Sequence, residues 1–159
     1  MNLDISKPTL ISATKLHDNR GFMQPLYENE INDEICIKMS SSNKGVVRGL
    51  HWQKVPHSQQ KFIYVLNGTV KDVCLRIDEN KVCKSDKHEF IISSSDEKCL
   101  FIPDNYAHSY QAVSEEVAIL YVCLGKYSPE SEVCFNPLAY GINWDKTILT
   151  VSKKDLEGH

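Results

Sequence analysis

Four groups of polar residues interrupt an otherwise apolar pattern, and each has the functional groups for acid–base chemistry. The first runs Arg48-Gly49-Leu50-His51-Trp52-Gln53 and resumes as Gln59-Gln60-Lys61. The second is Asp72, in the middle of an apolar stretch. The third is Ile102-Pro103-Asp104-Asn105-Tyr106-Ala107-His108. The fourth is Tyr121, between Ile119-Leu120 and Val122. An imidazole titrates near neutrality, which makes His51 a candidate general base. Each group also has a structural reading: a hydrogen-bonded histidine, a core tyrosine, a lysine whose stem covers apolar neighbours. Asp72 is harder to set aside. A buried carboxylate is costly without a partner, so it predicts a histidine or lysine on an adjacent strand.

Other chemistries lack their motifs. The six histidines are isolated and no His-x-His occurs, which argues against a bound catalytic metal. There is no GxGxxG, GxxxxGK[ST] or G-x-S-x-G, so neither a nucleotide loop nor a serine-hydrolase elbow is present. The net charge of −3 argues against nucleic acid as the main partner. No apolar run approaches the ~18 residues of a membrane span. Met1-Asn2-Leu3-Asp4 carries no secretion signal, and the six cysteines form no CxxC pair. They are expected to be reduced, mostly buried thiols of a cytoplasmic protein.

The elements that must position these groups read as strands. With 159 residues, 42% of them hydrophobic, the chain is expected to form a single domain over 1–159. Short apolar runs separated by turn residues predict strands at Glu34–Ser40, Lys61–Asn67, Thr69–Ile77, His88–Ser93, Lys98–Ile102, Ser109–Ala112 and Val117–Leu124. Asn67-Gly68 predicts a hairpin between two of them, and Asp78-Glu79-Asn80 and Ser93–Asp96 predict turns. Along Thr69–Ile77, Val70, Asp72, Cys74 and Arg76 share one face and Val73, Leu75 and Ile77 the other, as in the wall of a polar cavity. Asn29–Asp33 reads as a short helical or loop segment and Ser152–Glu157 as a helical turn. The expected class is all-β, a sandwich or small barrel.

In combination the groups are far more specific. Asp18-Asn19-Arg20-Gly21-Phe22, Lys44 to Gln53, Gln60-Lys61, Gly68 to Val73, Ile102-Pro103 with Ala107-His108, Tyr121, Tyr127-Ser128-Pro129-Glu130 and Ser152-Lys153-Lys154-Asp155 occur in an order that resembles the dTDP-4-dehydrorhamnose 3,5-epimerase family. The resemblance implies a cupin-like β-sandwich (jelly roll) with short helical or irregular terminal segments. It implies a homodimer whose N-terminal strands join the partner, and no cofactor or metal. The implied substrate is a small nucleotide sugar, a nucleoside-diphospho-4-keto-6-deoxy sugar. The implied reaction is proton removal at C3 or C5, an enolate, and reprotonation on the opposite face. His51 would be the base, Asp155 its orienting partner, Lys61 the cation at the enolate oxygen and Tyr121 the acid, eased by the Lys61 charge. Asp72 and His108 would support Lys61, and Arg20, Arg48 and Gln53 would bind substrate.

This chain departs from the family pattern after Arg-Gly-Phe, where Met23-Gln24-Pro25 follow, at Cys36-Ile37-Lys38, at Trp52 in place of Tyr, and at Phe135-Asn136-Pro137. Two rival activities stay open. A 3,4-ketoisomerase on the same scaffold would carry a His-Ala-His-Lys-like segment, where this chain has His51-Trp52-Gln53-Lys54. A catalytically silent sugar-binding sandwich would have no need of acid and base together.

Overall fold

The computed structural model describes residues 6–19, 21–24 and 34–158. Among them the strands are β1 (Thr9–Ser12), β2 (Leu16–Asp18), β3 (Gly21–Met23), β4 (Ile35–Asn43), β5 (Val46–Gln53), β6 (Gln60–Asn67), β7 (Thr69–Asp78), β8 (Lys81–Ser93), β9 (Lys98–Ile102), β10 (Tyr106–Ala112), β11 (Glu116–Leu124), β12 (Glu132–Cys134) and β13 (Thr150–Val151); α1 (Lys153–Glu157) closes the chain. One sheet has the order β1-β9-β6-β11-β4 and the other β12-β5-β10-β7-β8, with β13 beside β5; β2 and β3 pair with each other. From β6 to β11 the chain passes repeatedly between the sheets, which gives the expected jelly roll.

The Asn67-Gly68 hairpin does not form, because β6 and β7 belong to different sheets. Gly68 sits at φ +78°, and a Cβ there would lie 2.4 Å from the Glu116 carbonyl oxygen. Its freedom therefore turns a corner of the sandwich rather than reversing the chain within a sheet. The two-residue hairpin lies at Glu79 and Asn80, with φ of 46° and 64°, and it sets Asp78 opposite Lys81. Two positive φ values in succession match the type I′ twist that β7 and β8 require. The Asn29–Asp33 segment lies outside the described residues.

The alternation read along β7 holds. Val70 and Cys74 enter the core between the sheets, with Ile63, Leu100 and Ile119. Val73, Leu75 and Ile77 enter a second core on the outer face, with Leu50, Trp52 and Trp144. Because the second sheet is covered on both faces, β10 is buried along its whole length. This explains a strand with no polar–apolar alternation. All six cysteines are free thiols and four of them are buried. Trp52 packs in the outer core and donates its indole N–H to the Asp104 carbonyl at 2.6 Å. The tryptophan substitution therefore falls on the strand face opposite His51.

Candidate active site

The Arg-Gly-Leu-His segment, unassigned by periodicity, is the central part of β5. Gly49 explains both its motif and its irregular appearance. Its φ is +108°, and a Cβ would lie 2.4 Å from the His108 carbonyl oxygen, so only glycine lets β10 approach this closely. The β5–β10 register shifts at the same place, between His108 and Ser109. The result sets His51 and His108 opposite each other on adjacent strands.

Asp155 arrives from the other end of the chain. Ser152 caps α1, its Oγ accepting from the Asp155 N–H at 3.1 Å. This start fixes the helix against β5 and buries the carboxylate, which is 4% exposed. Asp155 Oδ1 lies 2.7 Å from His51 Nε2, and Oδ2 accepts from the Gly49 N–H at 3.3 Å. Burial alone would raise the Asp155 carboxyl. The bonds from His51, Gly49 and Ser152 outweigh it and hold the group below the ordinary carboxylate value. An ionised Asp155 keeps the His51 ring proton on Nε2 and leaves the Nδ1 lone pair basic.

The second predicted pair also forms. Asp72, fully buried, lies 3.2 Å from His108 Nδ1 and accepts from the Cys74 thiol at 3.6 Å. Burial lowers the pKa of His108 although Asp72 pulls the other way, so this imidazole is neutral at neutral pH. Lys61, on β6, donates to the His51 carbonyl at 3.5 Å. Burial lowers its pKa, partly offset by Cys123, Cys74 and Asp72.

Tyr121 comes from β11 in the opposite sheet and lines the same cavity of about 200 Å³ as His51, Lys61 and His108. Its ring meets that of His108 edge-on, centroids 6.1 Å apart. The Lys61 charge was expected to lower the Tyr121 pKa, but the shift is upward. Burial dominates and Tyr110 adds to it, pushing the phenol well above its ordinary 10.0. Tyr121 therefore stays protonated over the neutral range and has a proton to give, while the same burial makes it a weaker acid than a solvated phenol.

Sequence reasoning missed the network behind Tyr121. Its hydroxyl meets Ser40 Oγ at 3.2 Å, Ser40 meets the Tyr110 hydroxyl at 3.0 Å, and Tyr110 meets Ser42 at 2.9 Å. Arg48 donates from Nε to Ser42 Oγ and from Nη2 to the Ser41 carbonyl, which anchors the guanidinium at the cavity edge. The available signal was the period-two polar series Lys38, Ser40, Ser42, which sits on one face of β4, a strand longer than expected. Lys38 lies 3.7 Å from the centre of the Tyr127 ring at the cavity wall. Gln53 lines the cavity, yet its amide is engaged with the backbone, donating to the His57 carbonyl and accepting from the Ser128 N–H. It braces two loops. Arg20 lies outside the described residues. The histidines were expected to be isolated, yet among the described residues one of them meets two further metal-ligating groups: His51, Cys134 and Asp155 offer ligand atoms within 4.8 Å of one another. The β12–β5 pairing brings Cys134 opposite His51, a contact that local spacing cannot reveal.

A jelly-roll sandwich with a histidine on one sheet, paired to a carboxylate from α1, and a buried lysine and a partly buried tyrosine on the other defines a class, proteins with an acid–base pocket between two sheets. The sequence profile of dTDP-4-dehydrorhamnose 3,5-epimerase matches residues 2–159, and the chain belongs to that family. It is 30% identical to the Escherichia coli K12 dTDP-4-dehydrorhamnose 3,5-epimerase over 96% of this chain and 88% of that protein. It is 31% identical to the Neisseria gonorrhoeae protein of the same name over 94% of this chain. The chain spans 48% of the length of that relative and 59% of the Mycolicibacterium smegmatis one. The crystal structure of the Legionella pneumophila dTDP-6-deoxy-D-glucose-3,5-epimerase, in complex with dTDP-4-keto-L-rhamnose, superimposes with a TM-score of 0.84 at 28% identity, covering 99% of this chain and 89% of that one.

Proposed function

We propose that the chain is an isomerase, a cofactor-independent epimerase of a nucleoside-diphospho-4-keto-6-deoxy sugar that inverts C3, or C3 and C5. The observation that carries this reading is the opposition of His51 and Tyr121, from different sheets, across one cavity. Inversion needs a base and an acid on opposite faces of the ring, because a single group would return the proton to the face it left. His51, oriented by Asp155, removes the proton α to the 4-keto group. The Lys61 ammonium stabilises the enolate oxygen as charge develops. Tyr121 delivers a proton from the other side, and Asp72 and His108 hold the floor beneath Lys61. Arg48 meets the diphosphate, and the family resemblance assigns Arg20 to the same role. The relatives named for dTDP sugars, one with such a sugar bound, support deoxythymidine diphosphate as the nucleotide.

The same reading includes a cytoplasmic homodimer. Ile37 and Met39, 66% and 69% exposed on the edge strand β4, support a partner at that edge. Among the described residues no helix is long and apolar enough to cross a membrane.

Incubation with a dTDP-4-keto-6-deoxy sugar in deuterated water tests the reaction. Deuterium at C3 or C5 with the carbonyl in place is the expected result. Carbonyl migration would make the protein a ketoisomerase, and absence of exchange would make it a binder.

A further inference from the structure

We propose that His51, Cys134 and Asp155 form a zinc site that switches the enzyme off. The three side chains come from β5, β12 and α1 and supply one nitrogen, one sulfur and one oxygen. That is a donor set suited to Zn2+ and unsuited to Mg2+ or Ca2+. Their ligand atoms all lie within 4.8 Å of one another. A tetrahedral ion at ~2.0–2.3 Å from each ligand needs them roughly 3.3–3.8 Å apart. Opening the 2.7 Å His51–Asp155 contact by about an ångström therefore makes room.

The charges balance. A thiolate and a carboxylate neutralise a divalent cation in a place where Cys134 is 2% and Asp155 4% exposed. Two of the three ligands also border a cavity. His51 and Asp155 line a second cavity of about 340 Å³, bordered by Arg48, Ser152 and Lys154, on the side of β5 that α1 covers. From that side a hydrated ion reaches the carboxylate first and keeps water as its fourth ligand.

The inhibition follows from the proton inventory. In the free enzyme the ring proton of His51 sits on Nε2, directed at Asp155. Zinc bound at Nε2 moves that proton to Nδ1 and releases the thiol proton of Cys134 to solvent. A neutral imidazole with metal on Nε2 and hydrogen on Nδ1 has no lone pair left with which to take a proton from sugar. Asp155 is at the same time withdrawn from its orienting bond. One ion thus removes both members of the pair. Binding stands on geometry alone; inhibition rests on the epimerase reading.

The test separates the two. Enzyme stripped by a chelator is titrated with Co2+ and then Zn2+, and absorbance is read alongside deuterium exchange into a 4-keto nucleotide sugar. The expected result is a thiolate-to-cobalt charge-transfer band at one equivalent that Zn2+ abolishes, with exchange falling in step and Mg2+ without effect. Cys134→Ser, and Cys134→Ala as a check on folding, should lose the band, keep the metal-free exchange rate, and bind zinc at least ~10-fold more weakly. No band in the wild type, or the same band in both variants, overturns the site. A band without loss of exchange overturns the inhibition and leaves the site. A protein with no exchange under any condition but with the band refutes the epimerase reading and retains the metal site.

Discussion

Replacing Asp155 by asparagine changes one charge and almost no volume, and the structure determines which way the new amide must face. Oδ2 accepts from the Gly49 N–H at 3.3 Å, so that corner of the site demands an acceptor. The asparagine oxygen takes it, and the NH2 group falls at the Oδ1 position, 2.7 Å from His51 Nε2. An N–H donor there requires a lone pair on Nε2 and drives the ring proton to Nδ1, the nitrogen needed as base. Two losses follow. A charge-assisted hydrogen bond is worth ~1.5–3 kcal/mol, about one to two decades in rate. The wrong tautomer takes the effect toward the upper part of the ~10²–10⁴ range for general-base catalysis. Both fall on kcat, while KM should change little, because Asp155 is held behind His51. Initial rates of inversion followed by NMR give kcat and KM, and urea unfolding shows whether the fold survives. A loss below ~10-fold in a stably folded D155N protein would refute the dyad argument.

Three further outcomes follow from the same geometry. Burial holds the His108 pKa below its ordinary 6.5, so the unfolded chain takes up a proton that the folded one refuses. This contribution to stability is full above pH 6.5 and declines as pH falls below it, a slope that unfolding curves should show in the wild type and lose in His108→Gln. Gly49→Ala forces a Cβ to 2.4 Å from the His108 carbonyl at a φ of +108°, and should cost at least ~2 kcal/mol in urea unfolding; a neutral result would show that β5 and β10 can separate. Light scattering should give twice the mass of the chain, and an active monomer would show that one chain completes its own site.

Much of the site was legible because its residues violate their surroundings. Asp72 and Tyr121 interrupt apolar strands; Asp72 proved fully buried, Tyr121 partly so, and both are hydrogen-bonded. Strands β6, β7, β9 and β11 were legible for the opposite reason, since their apolar runs are regular, whereas the 13-residue β8 was legible only over His88–Ser93, its first half being mostly polar. β5 was not, because Arg48-Gly49 breaks the alternation where a positive φ breaks the backbone. Asn67-Gly68 carried true turn chemistry but no information on which sheet the next strand joins, and that depends on contacts remote in sequence. The same holds for Tyr110, hidden in a wholly buried strand, and for Cys134, whose meeting with His51 depends on the three-residue strand β12.

The central claim is that His51 and Tyr121 act on opposite faces of one sugar ring, and Tyr121→Phe in deuterated water tests it most directly. The substitution keeps the ring packed against His108 and removes only the hydroxyl bonded to Ser40. Mass spectrometry counts deuterium in recovered sugar, and NMR of the same sample reports configuration. The account predicts that exchange through His51 continues while inversion falls at least ~10²-fold, giving labelled sugar of unchanged configuration. Equal inversion in mutant and wild type, or loss of exchange along with inversion, would contradict it.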